Sequence, residues 1–248
     1  MIDAIIIAGG GGTRMYPFTH IAPKALLPLG SKPLLCYHLE KLRIKGIREV
    51  VVVSNDYEDV FERLQSHYAF KFVKDEGKGA VAAFYAAVKE LRESEGWLLI
   101  QGNLFTTLDY RELIEAWDGK SVLVTLRKID KKDAKRFGTV KIENGKIVEI
   151  WEKKNCSLNL ALAGIYLFPP SILPSLVLWT NTIRSFHRFG DFLRFLLQTH
   201  ALKLFIIEEF WEYADNEEGY KRIWRWWVCK SHTAKSHTGK GGREHLKG

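Results

Sequence analysis

Apolar and polar positions alternate along this chain in a way that separates strands from helices. Residues 4–8 form an apolar run long enough for one buried strand. Leu34, Leu35, Tyr37, Leu39 and Leu42 then recur near helical spacing, with Glu40 and Lys41 turned outward. A β-branched run over 47–53 predicts a second buried parallel strand, ended by Ser54-Asn55-Asp56. Helices are expected over 58–67, 79–91, 110–117 and 191–200, and strands over 70–73, 97–100, 121–126, 160–168 and 202–207. Residues 138–151 alternate on both sides of Asn144-Gly145, a strong hairpin signal. This succession predicts an α/β fold with a mixed, mainly parallel sheet.

Length and charge narrow the picture. The 248 residues suffice for one large core without staples. The net charge of +8 invites a nucleic-acid reading, but its location argues against one. From Lys221 to Gly248 eight basic residues face the single acid Glu244, so the body of the chain is close to neutral. The repeated KSHT at 230–233 and 235–238 belongs to a stretch with little to bury, which predicts a domain over 1–228 and a basic, disordered tail over 229–248. Cys36, Cys156 and Cys229 show neither metal spacing nor an even framework, and no leader or membrane span is legible; a reducing cytoplasm is the expected compartment. No histidine pairs at zinc spacing. The tryptophans of 224–227 are expected to pack on a core or partner rather than to stack on bases.

Residues 4–33 carry the chemistry. Four glycines, Gly9 to Gly12, follow the first strand, then Thr13 and Arg14, and later Lys24 between Pro23 and Pro28. Glycines after a strand let backbone N–H groups approach an anion closely. Arg14 adds a planar fork of donors that suits phosphate, and Lys24 a compact charge on a loop stiffened by proline. The stretch is not a P-loop, because no Lys-Ser or Lys-Thr follows the glycines, and it is not GxGxxG, because Arg14 or Met15 stands where the last glycine belongs.

The segment from Ala8 through Pro33 resembles the signature of the sugar-1-phosphate nucleotidyltransferases, with Met15 in place of leucine. The resemblance extends over about residues 3–228. It implies a nucleotide-diphospho-sugar transferase (GT-A, Rossmann-like) fold with helices on both faces of the sheet. It implies nucleotide binding by Ala8, Gly9, Gly10, Gly11, Gly12, Thr13 and Gly79, with Arg14 and Lys24 on the triphosphate. Phe137-Gly138, Glu152-Lys153 and the segment from Asn159 to Tyr166 resemble the sugar side. This places Gly138, Glu152, Lys153 and Asn159 around the sugar phosphate, with Lys153 joining Arg14 and Lys24 in catalysis. The implied partners are a nucleoside triphosphate and a sugar-1-phosphate, in a protein that often forms homo-oligomers, and the implied cofactor is Mg²⁺ held by two aspartates.

Both aspartate positions depart from the family pattern. Gln101-Gly102-Asn103-Leu104-Phe105 puts Gly102 or Asn103 at the first, and Trp211-Glu212-Tyr213-Ala214-Asp215 puts Tyr213 at the second. Asn103 and Asp215 remain as weak metal candidates; otherwise Asp215, Glu217 and Glu218 form a solvated turn and helix start. Base choice does not carry over, since Lys74-Asp75-Glu76 stands where the family has a glutamine. Two functions are therefore expected: a nucleotidyltransferase making a nucleotide sugar, or a degenerate relative that binds nucleotide or sugar phosphate as a regulatory or assembly subunit.

Overall fold

A computed structural model describes residues 1–10, 12–152, 158–182 and 188–238. In chain order the elements are β1 (Ile2–Ile7), β2 (Pro28–Leu29), β3 (Lys32–Pro33), α1 (Leu34–Lys41), β4 (Ile47–Ser54), α2 (Glu58–Gln65), β5 (Lys71–Lys74), α3 (Ala80–Glu90), β6 (Trp97–Gln101) and β7 (Leu104–Thr106). There follow α4 (Tyr110–Ala116), β8 (Val122–Lys128), β9 (Gly138–Glu143), β10 (Lys146–Glu152), β11 (Leu160–Phe168), α5 (Leu173–Thr182), α6 (Phe189–Leu196), β12 (Leu202–Ile207), β13 (Trp211–Tyr213) and α7 (Glu217–Thr238).

One nine-stranded sheet runs β10-β9-β11-β6-β1-β4-β5, with β8 on β11 and β12 on β8. β1 pairs in parallel with both β4 and β6, β4 with β5, and β12 with β8. β11 is antiparallel to β6 and β8, so the sheet is mixed and mainly parallel as expected. The continuous apolar runs of the early strands follow from cover on both faces. Ile5, Ile7, Val51, Val53 and Leu99 pack towards α3, α5 and α6, while Ala4, Ile6, Val52, Leu98 and Ile100 pack towards α1, α2 and α4. The β9–β10 hairpin turns at Asn144 (φ 50°) and Gly145 (φ 73°), the two positive φ values that a tight hairpin requires.

Several elements differ from the sequence expectation. α5 was not among the expected helices; it carries Pro174 in its first turn, where proline's missing N–H costs nothing. β7 and β13 form a two-stranded ribbon too short to carry a periodic signal. The last helix continues to Thr238 and so includes 229–238 of the expected tail, because each further residue of a packed helix adds one backbone hydrogen bond. Residues 239–248 lie outside the described part. Trp224, Trp226 and Trp227 pack against a third apolar cluster around Leu29, Leu34 and Ile223. Among the described residues no helix is long and apolar enough to cross a membrane.

Candidate active site

A cleft of about 220 Å³ opens where β1 and β6 end, with Ile7 and Gln101 in its floor. This is the carboxyl edge of the parallel strands, the usual ligand side of an open α/β sheet. The helix α3 starts there, with Ala80 in the wall, so the positive end of its backbone dipole faces the space.

Arg14 and Lys24 both line the cleft although ten residues separate them. Thr13–Met15 is a single 3-10 turn entered through Gly12 in the left-handed region (φ 58°). Thr19 Oγ1 donates to Gly12 O at 2.7 Å and ties the loop back on itself. Pro23, at φ −65°, starts a second such turn, Lys24–Leu26, and sets Lys24 at its head. Gly9 lines the wall; a Cβ there would stand 2.7 Å from Asn55 Oδ1. The Gly10 N–H is donated to that same oxygen at 3.2 Å. Ala8 is buried and its N–H donates to Val53 O at 2.8 Å, so it serves the sheet. Gly10, Gly12, Thr13 and Gly79 do not line the cleft, and Gly11 lies outside the described residues.

On the opposite wall Glu152, at the end of β10, reaches between Gly138 and Gly190. A Cβ on Gly138 would come within 2.9 Å of Glu152 Oε2, and one on Gly190 would overlap it. Only glycine leaves room for this carboxylate. Lys153 lies outside the described residues. Asn159 is exposed and does not line the cleft; its backbone C=O accepts the Ile129 N–H at 2.8 Å instead, at the start of the β8–β11 pairing.

The tertiary structure adds Arg136, Arg188 and Phe189, which no local pattern announces. With Tyr166 they line the same cleft. Tyr213 and Asp215 arrive on the β7–β13 ribbon, secured where the Ala214 N–H donates to Asn103 O at 2.8 Å. Asp215 is buried and is not the solvated turn residue expected. Its Oδ2 accepts from Arg14 Nη1 at 3.3 Å and its Oδ1 from Arg136 Nη2 at 3.2 Å. Arg136 Nη2 also donates to Glu212 Oε1 at 3.2 Å, and Glu212 accepts from Arg222 Nε on α7. The guanidinium of Arg136 lies over the Phe137 ring at 4.7 Å.

These donors do not fit a protein-held Mg²⁺. The ion favours carboxylate and water oxygens in octahedral geometry. At Gly102 a Cβ would meet Ile7 O at 3.0 Å and Ala25 Cβ at 3.2 Å, a tight fit in which the neighbours would have to give by a few tenths of an ångström. Tyr213 fills the second position with a phenol whose burial, with the carboxylates of Asp215 and Glu152 nearby, pushes it well above the ordinary tyrosine value and keeps it neutral. Its ring passes over Gly164 (φ 75°), where any Cβ would overlap the hydroxyl. Asn103 is neutral, Asp215 already serves two arginines, and no cluster of three metal-ligating side chains exists among the described residues.

Residues 3–225 match the family model described as nucleotidyl transferase. The chain belongs to the nucleotidyl transferase family. It is 30% identical over 213 residues to a bifunctional sugar-1-phosphate nucleotidylyltransferase/acetyltransferase from Sulfurisphaera tokodaii, covering 85% of this chain and 51% of that protein. It is 29% identical over 174 residues to a glucose-1-phosphate thymidylyltransferase from Neisseria gonorrhoeae, covering 66% of this chain and 60% of that one. The family member described here thus spans half to three-fifths of the length of these curated relatives. A UDP-glucose pyrophosphorylase solved with UDP-glucose superposes with a TM-score of 0.77 at 19% identity, over 93% of this chain and 100% of that one, a likeness of fold.

Proposed function

We propose that the protein joins the nucleoside monophosphate of a nucleoside triphosphate to a sugar-1-phosphate and releases pyrophosphate. The observation that carries this reading is the convergence of Gly9, Arg14 and Lys24 with Gly138 and Glu152 on one cleft, all of them positions that the resemblance assigns to the substrates. A phosphate oxygen of the sugar-1-phosphate attacks the α-phosphorus. The new P–O bond forms as the bond to the bridging oxygen breaks, and pyrophosphate leaves with the electron pair. The attacking oxygen is already ionised at neutral pH, so alignment and charge neutralisation carry the rate. Arg14 and Lys24 face the triphosphate, with Arg136 and Arg188 beside them in the wall. Glu152, pressed between two glycines, is placed to accept from sugar hydroxyls. Cys36 is a buried thiol outside any disulfide, which suits a reducing cytoplasm.

A second reading has its own observation. Gly102 or Asn103, and Tyr213, stand where the resemblance puts the two aspartates, which favours a subunit that binds these ligands without efficient turnover. Pyrophosphate release, measured for ATP, GTP, CTP, UTP and dTTP against a panel of sugar-1-phosphates, separates the two. Release specific to one base and one sugar establishes the transferase; none, with nucleotide binding shown by calorimetry, establishes the binding subunit. In either case Arg14→Ala or Lys24→Ala should weaken triphosphate binding by about tenfold or more, the worth of a charge-assisted contact. Parent-like binding by both variants would remove the phosphate site from this cleft.

A further inference from the structure

The cleft's charges are arranged for an anion that arrives without a metal. Arg14, Lys24, Arg136 and Arg188 outnumber the two carboxylates in its walls, Glu152 and Asp215. The acids are not gathered around a common point that a cation could occupy. Glu152 is wedged between Gly138 and Gly190. Asp215, with its side chain only 10% exposed, is spread between two guanidinium groups, one oxygen to each.

The geometry of Asp215 resembles that of a bound phosphate. It accepts at 3.2–3.3 Å from Arg14 and Arg136, two cations that line the proposed phosphate site. Arg14 is half-exposed and can swing away to a ligand, while Arg136, at 17% exposed, keeps Glu212 as a second acceptor when Asp215 lets go. The Arg136 Nε is buried and has no partner, so this guanidinium holds donor capacity that the protein leaves unused. A metal ion placed here would instead have to displace two arginines to reach a single carboxylate, with a neutral phenol at Tyr213 and a glycine and a neutral amide at Gly102 and Asn103 where further donors would be needed.

We infer that this cleft takes its triphosphate as the metal-free anion, with Arg14 and Arg136 transferred from Asp215 to the phosphate oxygens. Asp215 then acts as a tethered competitor that holds both arginines in place while the cleft is empty. The Arg136 guanidinium, 17% exposed, is costly to leave unpaired in the empty cleft, while the half-exposed Arg14 also reaches water. The inference rests on the nucleotide reading proposed above.

Calorimetric titration of the full chain with ATP, GTP, CTP, UTP and dTTP, each in EDTA and in excess Mg²⁺, tests it. The expected result is that whichever triphosphate binds does so at least as tightly in EDTA as in Mg²⁺. Asp215→Asn should tighten binding in EDTA severalfold by freeing the arginines. Arg136→Met should weaken it by about tenfold, the worth of a charge-assisted bond. The metal comparison needs no variant, so a misfolded Arg136→Met protein does not impair it. Binding at least threefold tighter in Mg²⁺ overturns the inference, and so does an Asp215→Asn variant that loses affinity in Mg²⁺, since the carboxylate would then be a metal ligand. Both results leave the nucleotide reading standing. Absence of binding by all five triphosphates in both buffers removes the nucleotide reading, and this inference with it.

Discussion

Strand β1 has a buried carboxylate near each of its ends, and the two are built differently. At its start Asp3 is fully buried and takes a two-pronged grip from Arg48, with Nε to Oδ1 at 2.9 Å and Nη2 to Oδ2 at 2.7 Å. Beyond its far end Asp215 is nearly as buried but shares single contacts of 3.2–3.3 Å with two arginines from different parts of the chain. The first pair is a clamp between neighbouring strands β1 and β4. Its planar, bidentate geometry satisfies both oxygens and leaves nothing to exchange. The second is longer, one-pronged on each side and open to a cleft, the form expected of contacts that are given up when a ligand arrives. Burial alone does not distinguish a structural acid from a functional one; the number and sharing of its donors does.

The largest effect that would sharpen this contrast comes from acid. His38 on α1 supports the cleft end: its Nε2 lies 2.6 Å from Leu104 O on β7, and its Nδ1 lies 2.6 Å from the Tyr110 hydroxyl. Burial pushes its imidazole from 6.5 down to about 4. As pH falls from 6.5 to 4 the unfolded chain takes up a proton that the native state refuses, so stability is lost across that window. The separation of the two values corresponds to about 3 kcal/mol. Denaturant midpoints measured across this range should fall with acid, and the part due to this residue should vanish in His38→Gln. A parent-like slope in that variant would show that His38 is not the responsible group.

Next in size is Asp3→Asn, which removes the charge from the clamp while keeping its shape. It should cost about 2 kcal/mol of folding stability, seen as a lowered denaturant midpoint, with nucleotide affinity unchanged. The smallest effect is the corresponding change at the other end. Asp215→Asn should alter folding stability by less than about 1 kcal/mol, because Arg136 retains Glu212 and Arg14 reaches water. If Asp215→Asn proves as destabilising as Asp3→Asn, the two acids are alike and the proposed exchange fails.

Much of this organisation was legible without the fold. The apolar runs of β1, β4, β6 and β11, the Asn144-Gly145 turn and the glycine–Arg14–Lys24 signature are properties of near neighbours in sequence. Short elements were not: β7 and β13 have three residues each, too few to show a period, and their pairing decides where Asp215 lies. α5 was hidden because its opening proline looks like a helix breaker when its place in the first turn is not known.

By itself, then, the sequence determined the class of fold, the spacing of the glycines, Arg14 and Lys24, and a resemblance in which Gly102 or Asn103, and Tyr213, stand where aspartates are expected, since all three follow from residue identity and local spacing. Tertiary structure alone decided what surrounds those side chains and which partners the cleft's charges meet. Arg14 and Asp215 are separated by 201 residues, and Arg136 and Asp215 by 79, so no periodicity links them. Their meeting depends on β11 passing beside β6, with Gly164 making room for the Tyr213 ring and the β7–β13 ribbon turning Asp215 back over the end of the sheet. Long-range packing chose the partners of each charge, and those partners separate the acid that clamps the fold from the acid that waits in the cleft.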